Sequence, residues 1–181
     1  MRNLHRLAML GLVTVFAVTA CTGLAPMRTL KKLRDGLQAR DESAVAAVVD
    51  FASVKRNVDA RVEQRLSEAN EGKLLGGIRA AVGERLAARV VEKLATPRGL
   101  INMACDGSLK MPPSPPPPCA LKGELANSGS EGDARYSADL TLPDGKQLKL
   151  VLERQADKQW RVVDMLMSPE SFEQLRKSIA D

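Results

Sequence analysis

Apolar residues recur at helical spacing through the first half of the chain and at every second position in its last third. Met27, Leu30, Leu33 and Leu37 predict a helix from Pro26 to about Ala39. Asp41 stands where it can cap a short helix carrying Val45, Val48 and Val49. Asp50 then opens a longer one, with Phe51, Val54, Val58, Val62 and Leu66 on one stripe. Arg56, Asp59, Arg61, Glu63 and Arg65 lie outside that stripe. Gly72 breaks the pattern, and Leu75, Ile78, Val82, Leu86, Val90 and Leu94 begin another. Thr96-Pro97 is a cap followed by a first-turn proline, predicting a short helix through Leu100 and Ile101 that Gly107 ends.

The period changes after a proline-rich stretch. Tyr136, Ala138, Leu140 and Leu142 alternate, as do Leu148, Leu150 and Leu152, with the turn signal Pro143-Asp144-Gly145 between them. Gln155 to Lys158 reads as a second turn, and Trp160, Val162, Val163 and Met165 as a third strand. Ala120 to Ala126 is a fourth candidate strand, with Asn127 to Gly132 as its turn. Ser168-Pro169 caps a last helix sharing Phe172, Leu175 and Ile179 on one face. Helices first and an antiparallel meander afterwards give an α+β class: amphipathic helices packed on three or four strands, with a C-terminal helix.

The front end has its own pattern. A basic hexapeptide, Met1 to Arg6, precedes an apolar run from Leu7 to Val18, which is too short to span a bilayer. The run ends in Val18-Thr19-Ala20-Cys21, which resembles the lipobox of bacterial lipoproteins. The resemblance implies a signal peptide over 1–20, lipid on Cys21, and a tether over 21–26 leading into one α+β domain over 27–181. Thr22 follows the cysteine in place of aspartate, which by the same resemblance favours the outer membrane, facing the periplasm, over the inner membrane. No later stretch is apolar enough to be a second anchor.

Charge adds little. Removal of Arg2 and Arg6 lowers the net charge from +5 to about +3, too modest to argue for nucleic acid. Arg28, Lys31, Lys32 and Arg34 follow the anchor, where they can meet anionic headgroups or form an ordinary solvated helix face. With Cys21 assigned to lipid, Cys105 and Cys119 remain, and two cysteines in an oxidising compartment read as one disulfide. They close a loop over 107–119 dominated by proline, and closing a loop of about 15 residues contributes roughly 3 kcal/mol.

Three further segments carry a resemblance. Asp50-Phe51-x-x-Val54-Lys55, Thr96-Pro97-x-Gly99-Leu100 and Leu148-x-Leu150-Val151-Leu152-Glu153-Arg154 with Trp160-x-Val162-Val163-Asp164 are similar to a bacterial family known as a domain of unknown function. The likeness runs from Met27 to Met167, and the proline-rich loop with its two cysteines departs from it as a local insertion. More distantly, helices before a curved sheet resemble the cone-shaped nuclear-transport-factor-like and cystatin-like folds, which host enzymes and binders alike.

Chemistry is sparse. His5 is the only histidine and leaves with the signal peptide, removing imidazole-based catalysis and every metal site that needs a His ligand. No nucleophile elbow, phosphate loop or dinucleotide fingerprint occurs, and no cofactor is implied. Asp41, Glu42, Asp50, Glu153 and Asp164 are the candidate acid/base groups. Asp41 and Asp50 also fit helix caps, while Glu153 and Asp164 fit exposed or edge positions of strands. Trp160 fits the core better than a ligand platform, given the apolar alternation around it. The sequence therefore points to a non-enzymatic, periplasm-facing lipoprotein that binds a partner protein or a small apolar ligand near the membrane. A carboxylate-dependent envelope hydrolase is the alternative.

Overall fold

The computed structural model describes residues 24–70, 88–119, 121 and 125–168. The predicted signal peptide, Cys21, the apolar positions from Leu75 to Leu86 and the predicted helix after Ser168 lie outside the described residues. Four helices are labelled here: α1 (Leu24–Gln38), α2 (Glu42–Val48), α3 (Phe51–Asn70) and α4 (Pro97–Asp106). A further helical stretch covers 88–94. Four strands follow: β1 (Leu125–Ser130), β2 (Arg135–Thr141), β3 (Gln147–Arg154) and β4 (Trp160–Met167), in an antiparallel meander of order β1-β2-β3-β4. The protein is α+β with an open sheet, as the change of hydrophobic period predicts.

The helices form where apolar stripes and caps coincide. Leu30, Leu33 and Leu37 of α1 are almost fully buried. α1 starts at Leu24, two residues before the expected Pro26, because proline is tolerated in a helix's first turn. Met27, expected on the buried stripe, is 40% exposed, and its sulfur accepts from the Tyr136 hydroxyl at 3.1 Å. The Asp41 carboxylate caps α2 by accepting from the Ser43 and Ala44 amides at 2.9 and 3.0 Å. Asp50 does the same for α3 through the Ser53 amide at 3.0 Å. Val54 and Val58 of α3 enter the core, and Phe51 and Val62 pack against it.

The cap of α4 explains its whole motif. Thr96 Oγ1 accepts from the Gly99 amide at 3.0 Å and donates to the Lys93 carbonyl at 2.8 Å, turning the chain sharply between 88–94 and α4. A Cβ at Gly99 would lie 1.7 Å from that carbonyl oxygen, so only glycine fits. Gly107, at φ 64°, closes the helix with its amide donating to the Met103 carbonyl, as a left-handed C-terminal glycine should.

One face of the sheet packs on the helices. Ala138, Leu140, Leu148, Leu150, Leu152, Val162 and Met165 share a core with Leu33, Val45, Val54, Val90 and Leu100. Each such aliphatic side chain contributes roughly 1.5–3 kcal/mol by leaving water. β4 keeps this face only through a bulge: Val151 pairs with Asp164 and Leu152 with Val162, so Val163 is one residue extra. Trp160 and Val162 precede the bulge and Met165 and Met167 follow it on the same face. Ser137, Val151 and Asp164 form a cross-strand row on the opposite face, and all three are buried.

The fourth strand departs from the expected boundaries. Asn127-Ser128-Gly129-Ser130, expected as a turn, continues β1, and the turn follows at 131–134. Pairing to β2 supplies the ladder whatever the side chains, and an exposed edge strand suits polar ones. A register irregularity between Ala126 and Gly129 and the left-handed Asn127 mark the strain of that composition.

Candidate functional site

α1 and α2 form the floor of an open cleft of about 700 Å³, and the turn between β3 and β4 forms its wall. Ala25, Arg28, Thr29, Lys32, Asp35, Gly36 and Ala39 come from α1 and the residue after it; Ala44, Ala47 and Val48 come from α2; Lys158, Gln159 and Trp160 come from the turn and the start of β4. Small side chains in the lining leave the space open, and long charged ones stand beside them. The walls are tied together: Thr29, itself buried, donates from Oγ1 to the Trp160 carbonyl at 3.2 Å. Trp160 packs against the core, as the alternation predicts, and also lines the cleft.

The lining is unevenly charged. Arg28 and Lys32 stand one turn apart on α1, and Lys158 faces the cleft from the turn. None of the three makes an ion pair or side-chain hydrogen bond among the described residues. The two lining carboxylates are engaged. Asp41 is held by Ser43 and Ala44, and its pKa is lowered first by the Ala44 amide and then by the Ser43 hydroxyl. Asp35 lies 3.3 Å from the Arg34 guanidinium.

Of the four basic residues expected near headgroups, Arg28 and Lys32 line the cleft, Lys31 is exposed beside them, and Arg34 pairs with Asp35. Lys158 and Gln159 were outside that expectation. Their signal was the turn at Gln155 to Lys158, whose approach to α1 is a tertiary contact, marked by the Thr29 hydrogen bond, and is not encoded in the spacing.

The candidate carboxylates are dispersed. Glu42 pairs with Arg98 at 2.8 Å. Asp50 accepts from the Ser53 amide and hydroxyl, and its pKa is lowered first by that hydroxyl. Glu153 is exposed on β3. Asp164 lies on the edge strand but is 6% exposed, not solvated: Arg61 of α3, expected outside the helix stripe, donates to both its oxygens at 2.6 Å. The bulge at Val163 turns Asp164 away from the core face, and the long Arg61 side chain reaches it from α3, which packs along the edge strand β4. Among the described residues no three His, Cys, Asp or Glu side chains are grouped to hold a metal ion.

Cys105 and Cys119 form a disulfide, with Cα atoms 4.5 Å apart. Arg40, left-handed at φ 52°, donates to Asp106 at 2.6 and 3.1 Å and to the Pro117 carbonyl at 3.1 Å. The proline-rich loop is thus fastened at both ends, next to the turn between α1 and α2. No described helix is long and apolar enough to cross a membrane.

No curated protein and no solved structure matches the chain. Residues 15–103 match the model of a family described as protein of unknown function, DUF2939. The matched span takes in Cys21, the Asp50-Phe51 and Thr96-Pro97-Arg98-Gly99-Leu100 segments and most of the cleft floor, and stops before the disulfide and the sheet. The helical part of this chain is therefore similar to a family of unknown function.

Proposed function

We propose that this protein is a lipid-anchored, non-enzymatic binding module that faces the periplasm from the outer membrane and takes a small ligand or a partner protein in the α1–α2 cleft. The observation that carries the reading is the cleft's place: its lining begins at Ala25, four residues after the lipobox cysteine. Two residues, Thr22 and Gly23, separate Cys21 from α1, so the three steps of chain reach at most about 11 Å. A lipid on Cys21 would hold the cleft at the bilayer surface. The structural engagement of Asp41, Glu42, Asp50 and Asp164 supports binding over hydrolysis, since each already serves a cap or an ion pair.

Two measurements test the reading. Membrane fractionation of cells making the wild type and Cys21→Ser should find only the wild type processed and membrane-bound; equal behaviour of the two would refute the anchor. Native mass spectrometry of the wild-type protein released gently from detergent should find adduct mass that vanishes on denaturation. A bare monomer, with no protein neighbour captured by crosslinking, would refute the binding role.

A further inference from the structure

We infer that the cleft binds the anionic headgroup of a phospholipid from the bilayer that carries the anchor, an inference that rests on the binding role proposed above. Charge is the first argument. Arg28, Lys32 and Lys158 converge on one opening from two separate parts of the fold, while both lining carboxylates are committed to a helix cap and to Arg34. An unpaired cationic cluster is complementary to phosphate, which arginine can grip with two N–H donors and lysine attracts as a point charge.

Shape is the second. Gly36, Ala39, Ala44, Ala47 and Trp160 give the lining apolar stretches beside its charged side chains. That polarity matches an amphiphile whose phosphate meets the charged side chains while its glycerol and upper acyl carbons meet the apolar ones. A volume of about 700 Å³ admits such a group. Lys158 adds a third argument. It holds φ 64° in a turn where glycine or asparagine would be less strained, yet the residue there is a lysine facing the cleft.

Trp160 is the single tryptophan of the chain, so its emission reports the cleft directly. The lipidated protein, purified in non-ionic detergent, would be titrated with mixed micelles containing phosphatidylglycerol or phosphatidylcholine, and separately with inorganic phosphate. Phosphatidylglycerol should change the emission saturably, with at least tenfold preference over phosphatidylcholine, and the response should weaken as salt rises. The triple variant Arg28→Gln, Lys32→Gln, Lys158→Gln, its fold checked by circular dichroism, should lose at least tenfold in affinity. Equal responses to both lipids, or an unaltered response in the triple variant, would overturn the inference. So would inorganic phosphate alone binding as well as phosphatidylglycerol, which would mark a soluble-anion site. Any of these outcomes leaves the anchor and the binding role to be judged by their own tests.

Discussion

The guanidinium of Arg61 grips both oxygens of the Asp164 carboxylate at 2.6 Å and reaches the Met165 carbonyl at 3.0 Å, joining the middle of α3 to the edge strand of the sheet. Asp164 also accepts from the Met165 amide at 2.7 Å, so its oxygens are satisfied although the residue is buried. Removing Arg61 would strand that charge. Arg61→Ala is expected to cost about 3 kcal/mol in urea denaturation, with an unchanged slope. The apolar pair Arg61→Met with Asp164→Leu should lie closer to the wild type than Arg61→Ala does. A loss below about 1 kcal/mol for Arg61→Ala would mean the pair does not hold α3 to the sheet.

Gly99 is expected to be the least replaceable residue of α4. A methyl group there meets backbone, the Lys93 carbonyl at 1.7 Å, which cannot swing aside as a side chain can. Gly99→Ala should cost about 3 kcal/mol or leave the protein insoluble. Thr96→Ala, which removes the cap but adds no clash, should cost only about 1 kcal/mol. Comparable melting temperatures for the two variants would contradict this account.

Both fastenings of the proline-rich loop should be measurable. Cys105→Ala with Cys119→Ala is expected to lower stability by about 3 kcal/mol. Arg40→Gln should leave the disulfide intact while exposing the loop to limited proteolysis between Gly107 and Pro118, because Asp106 and Pro117 lose their shared donor. Cleavage at the wild-type rate would show that the disulfide alone suffices.

Acid should destabilise the fold and mild alkali should not. Asp41, Asp50 and Glu131 are held below their ordinary values chiefly by the Ala44 amide and by the Ser53 and Ser137 hydroxyls respectively. A depressed carboxylate contributes stability that is complete above its unfolded pKa, near 4, and is lost as pH falls through its folded value. The only histidine is His5, so the described fold has no imidazole to titrate between pH 5 and 8. Urea midpoints should be level from pH 5.5 to 8 and fall below about pH 4. Asp50→Asn should retain the cap and show a smaller acid-induced loss.

What the sequence discloses follows from range. Caps and periods are local, so Asp41, Asp50, Thr96-Pro97, Gly107 and the strands from Tyr136 to Met165 were legible. The pairing of Cys105 with Cys119 was legible once Cys21 was set aside as the expected lipid site. Arg61 was not legible as a partner of Asp164, because 103 positions separate them and nothing in the stripe of α3 distinguishes Arg61 from Arg56. The cleft was half legible. Arg28 and Lys32 announce themselves by their spacing on α1, but Lys158 joins them only through the tertiary packing that brings β4 against the helices, with Thr29 bonding the Trp160 backbone. The end of β1 was misjudged because Asn127 to Ser130 has turn composition, and only its pairing with β2 makes it a strand.

The doubled valine in β4 sets a constraint that composition alone would hide. Because Val163 is supernumerary against β3, the strand changes phase once between Val162 and Asp164. The faces of the residues after Val163 therefore depend on that one extra residue staying bulged out of the ladder. Excising Val163 would leave Leu152 opposite Val162 and Val151 opposite Asp164, with Met165 and Met167 still inward, whereas losing the bulge with Val163 kept would turn both methionines out and drive Asp164 in. In related chains, a one-residue gap in this strand should therefore fall at the bulge itself, where it leaves every other side chain on its present face.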